Sequence, residues 1–459
     1  MSLTALVEVV LVLACGYALT TRVAPWVFVR VARAAGFRAE LTPVTRRRLA
    51  RFKRIRRGFF AFQALATLFV VSLFLELLVN GKPLVIHYGE RTAFPAVAEW
   101  ADKALFFADI SSFQKRSDFG MVGDAPVDYR AFARWAADHD ALRADIERTA
   151  TEAREARAAL DPAALRPDAG EFHKRKLAAV ERKEAEAATL RGTLDVFERG
   201  DAWIVMPLYP FGPSDLRYDL AKNPPNAPSL AETAPLGTDA SGRDVVPLML
   251  YGFRISIAFA LLVSALGQGV GILVGGAQGY FGGWIDILSQ RFVEIWGSIP
   301  FLFVMMILAS IVTPSFAVLC AALITLRAWI AITYYVRGEF YREKSKDYVQ
   351  AAIGCGVSDW KIITRHILPN AIVPIVTFTP FAIVSYITTL VSLDFLGFGL
   401  PPGTPSWGGV LKQGLENLKL YPHLTVIPTV ALAATLYAVV LIGEAVREAF
   451  DPKVFSRLR

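Results

Sequence analysis

The chain has 459 residues, of which 54% are apolar, 12% aromatic and only 20% charged, and its net charge is +8. Soluble domains carry about a quarter charged residues, so the low share of charge, with a mean hydropathy of +0.41, indicates long apolar spans. The basic balance does not indicate nucleic-acid binding, because the densest positive cluster adjoins an apolar span, where it is expected to orient the chain in a membrane.

The first apolar segment, residues 3–20, is interrupted only by Glu8. A secretory signal peptide begins with a basic region, which this segment lacks, and the same lack counts against the faint resemblance of Val12–Cys15 to a lipoprotein site. We therefore expect residues 1–21 to form an extra N-terminal transmembrane helix. The cysteines Cys15, Cys320 and Cys355 have neither disulfide nor metal-site spacing, and no metal site is predicted.

Residues 22–58 are a basic segment that we expect on the cytoplasmic side. Its densest part directly precedes an apolar span and contains Arg46, Arg47, Arg48, Arg51, Lys53, Arg54, Arg56 and Arg57. Cytoplasmic flanks of membrane helices carry an excess of Lys and Arg. This orientation predicts an extracytoplasmic insert after the first core span and a cytoplasmic turn at 337–370.

Six segments are apolar over the length of about 20 helical residues that a hydrocarbon core requires. They are 59–79, 255–280, 295–313, 315–336, 371–393 and 424–443. The third and fourth form one nearly continuous run, which we divide at Pro314 because it gives a natural turn. The sequence predicts an all-α polytopic membrane protein with a six-helix core, the first helix in 59–80 and the other five in 251–459.

The long insert at 81–250 is expected to be periplasmic and to contain a helical hairpin at about 129–200. Apolar side chains recur there at helical spacing, and the Pro- and Gly-containing stretch 161–170 breaks the pattern midway. The flanking stretches 81–128 and 201–245 predict irregular, packed structure. The hairpin fits two interpretations: a solvated, charge-rich decoration, or a contact arm for a periplasmic partner.

The turn 337–370 predicts a two-helix knob on the water side of the membrane. Gly354 and Gly356 permit a reversal of direction after the first helix, Ser358 is placed to cap the second helix, and Pro369 is expected to end it. The small residues Ala351 and Ala352 permit close approach of another surface. A rigid knob in this place is suited to present itself to another protein.

Arg327 lies about 15 Å along the helix from Arg337, near the centre of a predicted span. An isolated charge there costs about 2.5–3.5 kcal/mol, so Arg327 must face protein or water. Two interpretations remain open: a cation lining a translocation path, or a partner of a buried carboxylate in this chain or in another chain. Asp394, near an outer helix end, is a candidate for the outer mouth of such a path, although snorkelling to the interface also explains it.

Several stretches, in this order, resemble the oligopeptide/dipeptide class of ABC-importer permeases. They are Leu236-Gly237-Thr238-Asp239, Gly242-Arg243-Asp244-Val245, Gln350-Ala351-Ala352 with Gly356, His366-Ile367-Leu368-Pro369-Asn370, Phe395-Leu396-Gly397-Phe398-Gly399, Pro405-Ser406-Trp407-Gly408 and Ala449-Phe450-Asp451-Pro452. The resemblance covers about 46–80 and 236–453. Within the class, Asn80–Leu84 and Ser392–Phe395 are most similar to the YejE-type permeases of microcin C and peptide importers; the hairpin and the N-terminal helix depart from that type.

This resemblance implies a type I importer permease of the bacterial inner membrane, which moves peptides or peptide-like compounds. It implies as partners cytoplasmic ABC ATPase subunits, a second, different permease subunit, and a periplasmic substrate-binding protein. The ATPase-coupling residues carried over are Gln350, Ala351, Ala352, Gly356, Ile367, Leu368 and Pro369. The family motif usually begins with Glu, so Gln350 excludes an ion pair at its first position.

The chain contains no G-x-x-x-x-G-K-[ST] phosphate loop, so ATP and Mg are expected on the partner ATPases and the chain is not expected to be an enzyme. A secondary transporter or channel is the first rival, but intramembrane carboxylate relays and inverted broken repeats are missing. A membrane-anchored periplasmic scaffold is the second rival. The sequence has no nucleophile–base or metal constellation for a membrane enzyme.

Overall fold

The computed structural model describes residues 3–23, 30, 43–105, 115–119, 127–160, 171–220 and 222–450. The basic residues 31–42, the predicted hairpin break at 161–170 and the C-terminal residues 451–459 lie outside this range. The chain forms two compact units. We call residues 1–73 with 216–459 the membrane unit, and residues 74–215 the insert unit.

The membrane unit begins with helices α1 (Leu3–Ala18), α2 (Pro43–Arg54) and α3 (Arg56–Ser72), and a π-helical turn extends α1 to Val23. Helices α2 and α3 meet at 92°. Helix α2 carries six of the predicted basic residues and no buried side chain. Only α3 is therefore suited to serve as the first core span, and its 17 residues extend over about 25 Å.

Helix α1 packs lengthwise on α3 through one small residue and one polar contact. Gly16 is buried, and a side chain in its place would overlap with Val71. The Gln63 side-chain amide donates a 2.7 Å hydrogen bond to the Thr20 hydroxyl. Close approach at small residues and hydrogen bonds between polar side chains are how helices associate in membranes.

The insert unit contains α4 (Leu75–Leu78), β1 (Val85–Tyr88), β2 (Arg91–Ala93), α5 (Pro95–Leu105), α6 (Tyr129–Ala137), α7 (His139–Ala158), α8 (Glu171–Glu198) and β3 (Ala202–Val205). The strands form an antiparallel sheet in the order β2-β1-β3. The prediction of irregular structure on both sides of the hairpin is thus wrong for these stretches. Strands of three or four residues are too short for their alternation to stand out from irregular sequence.

The insert unit has its own apolar core at the base of the hairpin. Ile86 from the sheet packs there with Phe132, Leu142 and Leu190 from the helices. Helices α7 and α8 run antiparallel, with ion pairs joining them from Arg143–Glu198 at the base to Arg157–Glu184 further out. Farther from the core, the buried hydrophobic side chains among the described residues of the hairpin are Ala153, Val180 and Ala187. The far part of the hairpin is therefore held by little apolar surface.

Residues 216–244 belong to the membrane unit, so the insert predicted over 81–250 ends earlier in the structure. The reason is the buried Arg217 guanidinium, which lies 3.0 Å from the Asp244 carboxylate. Asp244 in turn accepts a hydrogen bond from the Val246 backbone and caps the helix that follows. A buried ion pair attached to a helix cap binds this segment to the membrane helices.

The remaining helices of the membrane unit are α9 (Val245–Phe281), α10 (Gly283–Gly297), α11 (Phe301–Ile311), α12 (Phe316–Leu323), α13 (Ile330–Lys344), α14 (Asp347–Gly354), α15 (Asp359–Lys361), α16 (Leu368–Leu396), α17 (Trp407–Glu416) and α18 (His423–Phe450). A π-helical turn at Ile324–Ala328 follows α12 and leads to α13. A second π-helical turn, at Ile362–Ile367, joins α15 to α16. In the part of the chain that the structure describes, three helices are long and apolar enough to span a membrane, and three bent pairs bring the number to six if each pair is one span.

The span predicted at 295–313 is interrupted in the structure. Its first residues, 295–297, end α10, and the rest of the run is helical from Phe301, in α11, which meets α10 at an angle of 67°. Pro300 cannot donate a backbone hydrogen bond, and the chain turns there. The predicted division at Pro314 agrees with the structure, since α11 ends at Ile311 and α12 begins at Phe316.

A ladder of glycines on α9 forms a close contact with α13 in the membrane unit. Gly267, Gly271, Gly275 and Gly279 recur every four residues. A side chain at Gly275 would overlap with the Thr333 carbonyl, and one at Gly279 would lie 2.5 Å from the Phe340 side chain. Small residues at this spacing let two membrane helices approach closely, and the contact fixes α13, which leads into the predicted coupling turn.

Candidate coupling hairpin and intramembrane cavity

Helices α14 and α15 form a tight two-helix turn, the coupling hairpin (347–367). Gly356 has a φ of +73°, and its N–H donates to the Ile353 carbonyl while the Val357 N–H donates to the Ala352 carbonyl. This pair of bonds is the Schellman motif, which satisfies the last carbonyls of a helix and turns the chain sharply. Val357 and Ala352 also belong to one apolar cluster, a contact that frequently accompanies this motif.

The inner face of the hairpin is buried against the membrane helices. Val349, Ile362 and Ile367 are fully buried in a cluster with side chains of α9 and α13. The Tyr280 hydroxyl at the end of α9 donates a 2.5 Å hydrogen bond to the Asp359 carboxylate. The hairpin is therefore attached to two spans and would move with them as one body.

A polar network beneath the hairpin is centred on Glu343, the buried carboxylate near the end of α13. It accepts hydrogen bonds from Lys346 at 2.7 Å and from the Tyr348 hydroxyl at 2.8 Å, and the Asn370 side chain donates to the same hydroxyl. Burial and the hydrogen bond to Glu343 raise the pKa of Tyr348. The phenol therefore remains a donor at neutral pH.

The side chain of Gln350, the first residue of the predicted coupling motif, forms a hydrogen bond within this chain. Its side-chain amide donates a 2.7 Å hydrogen bond to the Lys344 carbonyl, at the last turn of α13. A carboxylate has no proton to donate at neutral pH, so the usual Glu could not form this bond. The amide satisfies a helix-end carbonyl that would otherwise lack a partner.

The outer face of the hairpin is exposed and partly apolar. Ala351, Cys355 and Gly356 are exposed, and Trp360 and Ile353 expose 70% and 39% of their surface. Exposed aromatic and aliphatic side chains on a rigid, water-facing turn are typical of a protein contact. Trp360 and Asp359 were not among the predicted coupling residues, although both lie inside the turn.

The last residues of the predicted coupling motif, Ile367, Leu368 and Pro369, lie within a continuous helix rather than at its end. Ile367 is buried, Leu368 is half-buried and Pro369 is exposed. The expectation that Pro369 ends the second helix is wrong, because the helix continues from Asp359 to Leu396. Pro369 falls at the start of α16, just after a π-helical turn, where the missing N–H of proline costs least.

Arg327 lies on the π-helical turn between α12 and α13, where the helix bends by 43°. The Thr325 carbonyl accepts hydrogen bonds from two indole N–H groups, Trp296 at 3.0 Å and Trp329 at 2.8 Å. The Tyr386 hydroxyl donates to the Ala328 carbonyl. Side chains thus satisfy carbonyls around this break, as the interior of a membrane demands, and the break fixes the position of Arg327.

The exposed Arg327 side chain lines two adjoining cavities of about 370 and 600 Å³. The smaller one is lined on the α16 side by Ser385, Thr388, Thr389 and Ser392, which recur at the i, i+3, i+4, i+7 spacing of one helix face. We call these four residues the hydroxyl stripe. The prediction of an apolar span at 371–393 did not include this stripe, although its spacing is visible in the sequence.

Asp394 stabilises the loop after α16. Its two carboxylate oxygens accept hydrogen bonds from the Leu400 N–H at 2.7 Å and the Ser406 hydroxyl at 2.5 Å. Ser406 also caps α17. Asp394 does not line either Arg327 cavity, so this loop contact accounts for the residue, and its role at an outer mouth stays a prediction.

The fold defines a polytopic helical membrane protein with an exposed two-helix turn, and comparisons with known proteins identify its class. Residues 267–456 match the family model described as "Binding-protein-dependent transport system inner membrane component". The inner membrane ABC transporter permease protein YejE of Escherichia coli K12 is 35% identical over 414 residues, which cover 90% of this chain and 98% of that protein.

Two further relatives agree in class. The peptidoglycan transport system permease protein YejE of Agrobacterium fabrum is 34% identical, covering 90% of this chain and 94% of that protein. The oligopeptide transport system permease protein OppC of Haemophilus influenzae is 34% identical, covering 50% of this chain and 73% of that protein. The chain belongs to the ABC transporter permease family of YejE and is a multi-pass protein of the inner membrane. This confirms the predicted class and location.

Proposed function

We propose that the chain is the permease subunit through which an ABC importer moves peptides or peptide-like compounds, such as microcin C-type cargo. The coupling hairpin carries this proposal: a Schellman turn, buried anchors on α9 and α13, and an exposed face that includes Trp360. The cargo class is supported by the relatives, whose names refer to oligopeptide, glutathione and peptidoglycan transport.

The hairpin would carry the force of a separate ATPase. Cytoplasmic ABC ATPase subunits would bind ATP and Mg and press on the exposed face, with Gln350, Ala351, Ala352 and Gly356 shaping the turn and Ile367, Leu368 and Pro369 joining it to α16. Because the hairpin is packed on two spans, a rigid-body shift of the turn would move these helices. A second, different permease and a periplasmic substrate-binding protein would complete the importer.

The native Cys355 at the tip of the hairpin provides a direct test. Cys15→Ala and Cys320→Ala leave Cys355 as the single thiol, since the chain has three cysteines. This permease would be modified with a bulky maleimide and then reconstituted with the second permease, the ATPases and the binding protein. We expect the unmodified complex to take up peptides only with ATP, and the modified complex to lose most of this uptake because the label blocks the contact.

The matched control is a cysteine-free permease with Glu181→Cys, which places one thiol on the exposed surface of the insert unit. Its modification is expected to leave uptake unchanged. Peptide uptake without ATP would favour the secondary-transporter interpretation instead. ATP-dependent uptake that survives modification of Cys355 would contradict coupling at this hairpin, while leaving the permease function intact.

A further inference from the structure

The cavities at Arg327 combine a positive charge with hydroxyl groups inside a span. Arg327 is the twelfth residue of the bent 29-residue pair Phe316–Lys344 and therefore lies far from both ends. Each cavity falls within the 300–1,000 Å³ that is usual for small-molecule sites. A guanidinium at this depth is costly unless it meets an anion or water.

Within the described ranges, no carboxylate forms a salt bridge with Arg327, and its guanidinium carbon lies 6.0 Å from the centre of the Phe301 ring. The hydroxyl stripe faces the same cavity. The Thr388 and Thr389 hydroxyls donate to carbonyls of their own helix, so their lone pairs remain towards the cavity. Among the described residues, the Ser385 and Ser392 hydroxyls have no hydrogen-bond partner, so these two groups are placed to donate into the cavity.

We propose that this site binds the carboxylate group of the cargo during its passage through the membrane. The planar guanidinium donates two parallel hydrogen bonds to a carboxylate, and Ser385 or Ser392 would donate a third. A single cation balances the single charge of a carboxylate, whereas a doubly charged phosphate would leave one charge uncompensated in the span. The inference rests on the proposed peptide transport and names the group that the permease recognises.

The test compares one peptide with a free C-terminal carboxylate and the same peptide with a C-terminal amide. The reconstituted importer is measured with wild-type chain and with Arg327→Gln, and the quantity compared is the ratio of ATP-dependent uptake of acid to amide. The preference of the shared binding protein cancels between variants. We expect Arg327→Gln to lower the ratio about tenfold, the size of one charge-assisted hydrogen bond.

Three variants make this result decisive. Arg291→Gln removes an arginine that lines neither cavity and is expected to leave the ratio unchanged. Arg327→Lys keeps the charge but loses the planar guanidinium that donates two parallel hydrogen bonds. The double variant Ser385→Ala with Ser392→Ala removes two donors without changing the charge. Both variants are expected to lower the acid-to-amide ratio by a smaller factor. Arg327→Lys and the double serine variant test the proposed carboxylate site if Arg327→Gln fails to assemble.

An unchanged ratio in Arg327→Gln would overturn the proposal. If that variant does not assemble, an unchanged ratio in both Arg327→Lys and the double serine variant overturns it as well, and points to a structural partner in the second permease. These results differ from failure of the proposed function, in which the wild-type importer would show no ATP-dependent uptake of either peptide.

Discussion

At the scale of single residues, the two glycines of the coupling hairpin have different roles. Gly356 has a positive φ, whereas Gly354 is helical, and no atom lies within 4 Å of a side chain added at either position. Gly356→Ala is expected to destabilise the protein by about 1–2 kcal/mol, because the left-handed conformation strains an L-residue. Gly354→Ala is expected to stabilise it by about 0.5–1 kcal/mol, the usual gain in a helix.

Thermal unfolding of the purified permease measures both effects, and ATP-dependent uptake measures their consequence. We expect uptake to fall with Gly356→Ala and to persist with Gly354→Ala. Equal stability of the two variants would show that the turn does not depend on the conformation of Gly356.

The residue-scale features that the sequence could predict are local ones. The role of Gly356 follows from the motif around it, since a Schellman turn is contained in six consecutive residues. The Tyr280–Asp359 hydrogen bond joins positions 79 residues apart, and only the packing of α9 brings them together. Gln350 is an intermediate case: its difference from the family residue was visible, but its acceptor, the Lys344 carbonyl, was not.

At the scale of elements, the N-terminal helix α1 docks on the first core span by one face only. Gly16 is buried against α3, while the adjacent Cys15 is exposed. Gly16→Leu is expected to destabilise the membrane unit by about 1–3 kcal/mol, the cost of overpacking a close contact. Cys15→Leu places the same side chain one residue earlier, at an exposed position, and is expected to have little effect.

The melting temperatures of the two purified variants, with the intact mass of the wild-type protein, test this docking. Retention of the first 21 residues in that mass is expected for a transmembrane helix. A mass that lacks them would identify the segment as a cleaved leader and contradict the docked helix. Equal melting temperatures for both variants would show that α1 does not pack through Gly16.

Apolar length predicted where helices exist, but not where they begin, bend or continue. The break before Phe301 and the continuation through Pro369 both depend on proline in context: Pro300 lies at a sharp turn, whereas Pro369 follows a π-helical turn that tolerates it. The spacing of the hydroxyl stripe on α16 was visible in the sequence. Its place in a cavity with Arg327 depends on the tertiary structure and could not be predicted.

At the scale of the whole molecule, two units with separate cores make different demands on the sequence. The membrane unit depends on close helix contacts such as the glycine ladder, so single atoms matter there. The insert unit concentrates its apolar contacts at the base of the hairpin. The far part of the hairpin is joined by exposed ion pairs such as Lys183–Glu152, which contribute little to stability.

This distribution predicts that a large deletion in the far part of the hairpin destabilises the insert unit less than a single substitution in its core. Replacing residues 152–186 by a short Gly-Asn turn leaves the core contacts of Ile146 and Leu190 in place, and the insert unit is expected to stay folded. Phe132→Ala, at a core side chain that is 1% exposed, is expected to destabilise it by about 3–5 kcal/mol. Resistance of the insert unit to limited proteolysis measures both outcomes.

The same deletion decides between the two interpretations of the hairpin. Because its far part buries little apolar surface, we expect the shortened permease to keep ATP-dependent uptake close to that of the full chain, as a solvated decoration would. Loss of uptake with a protease-resistant insert unit and an intact complex would contradict this expectation, and would identify residues 152–186 as a contact arm for the substrate-binding protein. Titrating the binding protein would then separate the two interpretations quantitatively, because a lost contact arm raises the concentration needed for half-maximal uptake.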